Sequence, residues 1–169
     1  MDTSLVAVNA SPSTTSRTHA LAAAGVELAG AGRVVDLGEL DASALLGRSR
    51  DPRVDSLLQE LPSTPCLLLV TPVYRATYSG LLKVVLDQLP PDALAGTACI
   101  LAATGASPAH MLSLDTGLRP VVASLGGWSV PTTVYAVHGD FDDAGKPSAA
   151  IRARLSRALQ EAALVGAAG

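Results

Sequence analysis

Short apolar runs alternate with amphipathic or alanine-rich stretches along the chain, a rhythm that predicts repeated β–α units. Residues 4–8 (SLVAV) read as a first strand, followed by a Ser/Thr-rich loop and an alanine-rich helix over Thr18–Leu28. Arg33–Asp36 (RVVD), entered past Gly30 and Gly32, reads as a second strand. Asp51-Pro52 has the form of an N-cap followed by proline at the first helical position, opening a helix to about Leu61. Cys66–Val70 (CLLLV) is apolar at every position, as expected of a central strand covered on both faces. Ser79–Leu89 reads as a helix stopped by Pro90-Pro91, and Ala98–Ala103 (ACILAA) as the fourth strand. A helix over Pro108–Leu125 ends at Gly126-Gly127. Thr132–Val137 (TTVYAV) is the fifth strand, and Ser148–Val165 the last helix.

Five strands alternating with five helices predict an α/β fold with a doubly wound parallel sheet. With so few strands, a flavodoxin-like three-layer sandwich of order 2-1-3-4-5 is the economical topology. The 169 residues show no internal repeat or linker and are expected to form a single domain, 1–169.

Composition narrows the function. Apolar residues make up 49% of the chain and charged residues 16%, with only three Tyr, one Trp and one Phe. The core must therefore be aliphatic. A net charge of −3 gives no electrostatic case for nucleic acid or an acidic membrane. No apolar run reaches the ~18 residues that span a bilayer, and the first strand leaves no room for a signal peptide. A cytoplasmic protein is expected. Cys66 and Cys99 lack metal-ligand spacing and are expected to be small buried thiols; no metal site is predicted.

In open parallel sheets, ligands bind outside the carboxyl ends of the strands, so the loops after strands one, three and four carry the chemistry. The first, Asn9–Thr18, is rich in hydroxyl side chains and opens a helix, whose free N–H groups suit a phosphate. Arg17 stands in the first helical turn, where a cation is unfavourable by ~0.3–1 kcal/mol unless an anion joins it. The alternative to the phosphate reading is an ordinary Ser/Thr capping loop with an outward Arg. Neither GxxxxGK[ST] nor a correctly placed GxGxxG is present, which disfavours an NTPase or a dinucleotide-binding Rossmann domain. The second loop, Thr71–Gly80, holds Tyr74 and Tyr78, two of the three tyrosines. It suits the apolar wall of a flat ring, or simply two half-buried tyrosines. In the third, Thr104–His110, small residues let a ligand approach the backbone. His110 is a donor to a cofactor or a structural histidine, in equal measure. His19 and His138 are assigned no role, and no Ser–His–Asp order or carboxylate pair stands out.

The stretch TPVYRATYSGLLKVVLDQLP over Thr71–Pro90 closely resembles the flavin loop and following helix of NADPH-dependent FMN reductases. Within that family it is most similar to the branch that supplies reduced flavin to two-component alkanesulfonate monooxygenases. Ser11–Thr18 resembles the family's phosphate loop, and Ala103–Pro120 its third segment. The resemblance implies an NAD(P)H-dependent FMN reductase, in a homodimer or homotetramer with FMN at the subunit boundary, with a flavin-dependent monooxygenase as partner. It implies that Ser11, Ser13, Ser16, Arg17 and Thr18 hold the phosphate. Pro72, Val73 and Tyr74 would line the isoalloxazine, with Tyr78 and Ser79 nearby, and Thr104, Gly105, Ser107 and His110 would close the other side. The cofactors would carry the hydride transfer, so no indispensable catalytic side chain is expected. The alternatives are a quinone or azo reductase that retains FMN, and a non-enzymatic FMN-binding protein. Lys83 and Asp87 form an i, i+4 pair expected to be structural. Ala10 and Ala106 replace frequent family glycines, each with a methyl that would crowd FMN. Thr116 replaces an aromatic or His of some monooxygenase-coupled members.

Overall fold

The computed structural model describes residues 5–166, so Ser4 of the first predicted strand lies outside the described residues. Strands β1 (Leu5–Asn9), β2 (Gly32–Asp36), β3 (Cys66–Tyr74) and β5 (Ala98–Thr104) pair in parallel in the order β2-β1-β3-β5. The next position is shared by two short strands, β6 (Trp128–Ser129) and β7 (Val134–Ala136), both paired to β5. Counting these as one strand gives the expected 2-1-3-4-5 order of a flavodoxin-like sheet. A two-residue strand, β4 (Thr77–Tyr78), folds back antiparallel onto the end of β3.

The alternation of side chains across each strand divides the core in two. Val6, Val8, Leu67, Leu69, Cys99 and Leu101 face one side. There they meet α2 (Ala42–Leu45), α3 (Pro52–Glu60), α4 (Gly80–Leu86) and α5 (Arg119–Ser124). Leu5, Ala7, Leu68, Val70, Ile100 and Ala102 face the other, against α1 (Arg17–Ala29) and α6 (Ala149–Gly166). Burial pushes the Cys66 thiol up to about 11 and that of Cys99 to about 12, so both remain protonated within the sheet.

Helix starts follow their caps. The Ser16 hydroxyl accepts from His19 N–H, Asp51 from Arg53 N–H with Pro52 behind it, and Ser79 from Leu82 N–H. Two expectations need correction. The helix predicted over Pro108–Leu125 is broken into a 3₁₀ turn (Pro108–His110), a π-helical turn (Leu114–Leu118) and α5. Pro120 has no N–H to offer the Thr116 carbonyl and its ring pushes against that turn, so the helix widens before it. The strand predicted over Thr132–Val137 keeps ladder pairing only at Val134–Ala136. Around residues 129–133, side chains take over the backbone groups that the ladder leaves free. Arg119 donates to the carbonyls of Ser129 (3.2 Å) and Val130 (3.0 Å), and Glu161 accepts from Thr132 N–H (2.8 Å) and its hydroxyl (2.7 Å).

Helix α1 reaches the sheet through Gly25, where an added Cβ would lie 2.2 Å from Leu68 Cδ2. Leu68 is fully buried, so its side chain must repack within the core to make room. Gly25→Ala is expected to lower unfolding free energy by ~1–3 kcal/mol in a urea titration, despite alanine's better helix propensity. Leu68→Val in the same chain should recover part of that loss. Equal or greater stability of Gly25→Ala alone would contradict this packing.

Candidate functional site

The loop after β1 is anchored from below. Asn9 is completely buried; its amide donates to Asp36 at 2.6 Å, and its side-chain oxygen accepts from Ser11 N–H at 3.2 Å. His19 Nδ1 meets the same Asp36 oxygen at 2.8 Å. Ser11 Oγ accepts from Ser13 N–H at 3.2 Å, and Ser16 Oγ from His19 N–H at 3.1 Å. Both hydroxyls thus use an acceptor position internally and keep their O–H protons for a ligand oxygen. Thr18 is buried in the first turn of α1, and its hydroxyl meets that of Thr104 at 2.7 Å. That bond joins the start of α1 to the end of β5.

The loop after β3 is a tight hairpin. Val73 pairs with Tyr78 and Tyr74 with Thr77 across a turn at Arg75 (φ 52°) and Ala76 (φ 64°). Both turn residues are left-handed, the geometry that usually selects Asn-Gly, so the hairpin carries strain of ~1–3 kcal/mol per residue. It presents Pro72, Val73 and Tyr74 to one side, Tyr74 being 54% exposed. The loop after β5 is held by Tyr135. This phenol donates to the Ser107 carbonyl at 2.8 Å, and burial raises its pKa, so it stays a donor. It lies directly beneath Gly105, where an added Cβ would fall 1.8 Å from its oxygen.

These three loops surround a cleft of about 620 Å³ at the carboxyl ends of the strands, within the ~300–1,000 Å³ range of ligand sites. Of the residues singled out from sequence, Ser11, Ser16, Arg17 and Thr18 line one end, Pro72, Val73 and Tyr74 a wall, and Thr104 and Gly105 the other side. Ser13, Tyr78, Ser79, Ser107 and His110 are not among the lining residues. Ser13 is exposed, and Tyr78 packs on the core. Ser79 is buried, donating to Ala10 O at 2.9 Å, and Ser107 caps the 3₁₀ turn through its hydroxyl. That turn carries His110 out to the surface. Ala10 is fully buried in the core, so its methyl does not narrow the cleft, whereas Ala106 does line it. Lys83 and Asp87 form an exposed ion pair at 2.6 Å, away from the lining.

Ala136, Val137, His138 and Phe141 also line the cleft. They follow β7, and the sequence signal for them was the fifth strand's own carboxyl end. Phe141 is the chain's sole phenylalanine, and its ring centroid lies 6.0 Å from the Arg17 guanidinium carbon. This contact holds the exposed Arg17 weakly at the cleft edge. Arg17, like Arg48, Arg75, Lys146 and Arg154, has no carboxylate partner among the described residues. Among the described residues, no helix is long and apolar enough to cross a membrane.

Residues 3–142 match the profile of the NADPH-dependent FMN reductase family. An FMN reductase (NADPH) of Pseudomonas aeruginosa is 38% identical over 134 residues, covering 78% of this chain and 72% of the relative. The NADH-dependent FMN reductase SfnF of Pseudomonas fluorescens is 36% identical, covering 77% of this chain and 71% of its own. The crystal structure of the apo form of an NADH:FMN oxidoreductase, EMOB, superposes with a TM-score of 0.85 at 36% identity, covering 95% of this chain and 88% of that one.

The Gly105–Tyr135 contact makes a direct test of how the third loop is held. Gly105→Ala must displace the phenol and break its bond to Ser107, at an expected cost of ~1–3 kcal/mol in urea unfolding. Tyr135→Phe removes only the hydrogen bond, about 0.5–1.5 kcal/mol. A Gly105→Ala protein as stable as the parent would show that Tyr135 does not lie beneath the loop.

Proposed function

Because the chain belongs to the NADPH-dependent FMN reductase family, we propose that it is an NAD(P)H-dependent flavin reductase that binds FMN in this cleft. The observation that carries the reading is the union, in one cleft, of a hydroxyl-rich helix start, an apolar hairpin wall and a glycine-containing loop. Each suits a different part of FMN. At the helix start, Ser11 and Ser16 hydroxyls donate to the phosphate, joined by Arg17 and the free N–H groups of the first turn of α1. Pro72, Val73 and Tyr74 offer a largely apolar face to the ring, while Gly105 and Ala106 bring backbone close to its edge. Thr18 and Thr104 hold the floor. Ser79, Ser107 and Tyr78 act on the site by fixing its loops, and Ser13 and His110 stand at its exposed surroundings.

FMN, when bound, supplies the hydride-accepting chemistry toward NAD(P)H. The chain's own part is to fix the phosphate, orient the ring and shield one of its faces. We read 1–169 as one FMN-binding domain, cytoplasmic and homodimeric or homotetrameric. Met111 and Leu112, 54% and 63% exposed just after the third loop, give an apolar face that suits a second copy. Delivery of reduced FMN to a flavin-dependent monooxygenase completes the reading.

Oxidation of NADPH and NADH, followed by absorbance while FMN is titrated from zero, tests the activity. Saturable, FMN-dependent oxidation is expected. A folded protein inert with both nucleotides and with FMN or FAD would overturn the reductase reading. Arg17→Ala should weaken FMN binding by ~1–3 kcal/mol, roughly 5- to 150-fold in Kd. Unchanged affinity would remove Arg17 from the phosphate site.

A further inference from the structure

A second depression, of about 630 Å³, adjoins the first and shares Ser16, Arg17, His138 and Phe141 with it. Its far rim is the turn Asp142–Gly145. The turn is well tied: Asp142 N–H donates to Lys146 O at 3.0 Å, Gly145 N–H to Asp142 O at 2.9 Å, and Lys146 N–H to the Asp142 carboxylate at 2.8 Å. Asp143 and Ala144 are exposed, and Asp143 has no ion-pair or hydrogen-bond partner among the described residues.

The shared wall decides what chemistry the depression can take. Resting on the FMN reading above, a phosphate at Ser16–Arg17 sits on the boundary between the two hollows. A group linked through that phosphate, or through a second phosphate beside it, passes directly from one into the other. At the boundary the half-buried Phe141 ring packs on the core, and the exposed Arg17 guanidinium, 6.0 Å from the ring centroid, offers a planar cation on which a purine can stack. The rim offers the Asp143 carboxylate, an acceptor of the kind that binds a ribose diol. Asp142 and Asp143 together oppose any further phosphate on that ribose.

We propose that this depression is an adenylate subsite continuous with the flavin cleft, holding the AMP half of a dinucleotide that carries no 2′-phosphate. Two sources share this chemistry, FAD and NADH. Ala144→Trp fills the depression from its exposed rim, and Asp143→Arg reverses the charge offered to the ribose; neither residue lines the flavin cleft. Dissociation constants for FMN and FAD are read from flavin fluorescence, and that of ADP-ribose from calorimetry, on the full chain without turnover.

Both variants should leave FMN binding within about twofold and weaken an adenylate ligand by about tenfold, the scale of one lost base stack. Loss confined to FAD identifies the adenylate as that of the flavin dinucleotide. Loss confined to ADP-ribose identifies it as that of the nicotinamide dinucleotide. Either supports the subsite. FAD and ADP-ribose affinities both unchanged, or FMN affinity falling in step with them, would overturn it while leaving the flavin cleft intact. A parent protein that binds no FMN would instead overturn the flavin reading, and the subsite with it.

Discussion

The site depends on one buried serine. Ser79 donates its hydroxyl to Ala10 O at 2.9 Å, accepts Leu82 N–H on the same oxygen, and gives its own N–H to Thr71 Oγ1 at 2.8 Å. It thereby ties the end of β1, the second half of β3 and the start of α4 at one point. Ala10 N–H completes the join by donating to Val70 O at 2.8 Å. All these polar groups are buried, so losing one partner leaves others unsatisfied, at ~1–3 kcal/mol each. Because the α1 start and the hairpin wall of the cleft belong to different loops, their separation is set here. The Thr71–Ser79 spacing in the flavin-loop motif therefore records a structural bond more than a ligand contact.

The fold was legible wherever pattern and cap agreed. The all-apolar run at Cys66–Val70 becomes the central strand, flanked by β1 and β5, and the Asp51-Pro52 signal opens a helix at Pro52. Where tertiary partners replaced local ones, the pattern misled. Thr132 and Thr133 look like strand residues, but the Glu161 carboxylate takes the first and Arg154 takes the carbonyl of the second. The helix after β5 keeps an apolar stripe through Leu114, Leu118 and Val122. Its π-helical turn follows from Pro120, and from Gly117, whose missing Cβ lets the segment approach Thr77 and Tyr78 closely. Short elements such as α2 and the β3–β4 hairpin carry too few residues to show a period. The hairpin is harder still, because Arg75-Ala76 occupies a turn that normally announces itself as Asn-Gly.

For the site, sequence found the loops but not every side chain's direction. Ser11, Ser16, Arg17, Thr18, Pro72, Val73, Tyr74, Thr104 and Gly105 converge on the cleft. Ser79 turns inward to a backbone partner 69 residues away, which no local pattern shows, while the Ser107 hydroxyl is spent on a local cap with Ala109 N–H. Phe141 and His138 went unassigned because they lie after the fifth strand, in a loop without a motif. Their contribution comes from topology, which returns the chain to the same edge of the sheet. Tyr135 shows the same effect at one remove: it never lines the cleft, yet its hydroxyl sets the position of the loop that does.

The central claim is that the start of α1 is a phosphate site and that the cleft is built around it. Comparing equilibrium binding of FMN and riboflavin, which differ only in the phosphate, tests this most directly. The account predicts that FMN binds at least ~10-fold more tightly, as charge-assisted hydrogen bonds at a helix start require. It also predicts that the difference shrinks as ionic strength rises. Equal affinities for the two flavins would contradict it.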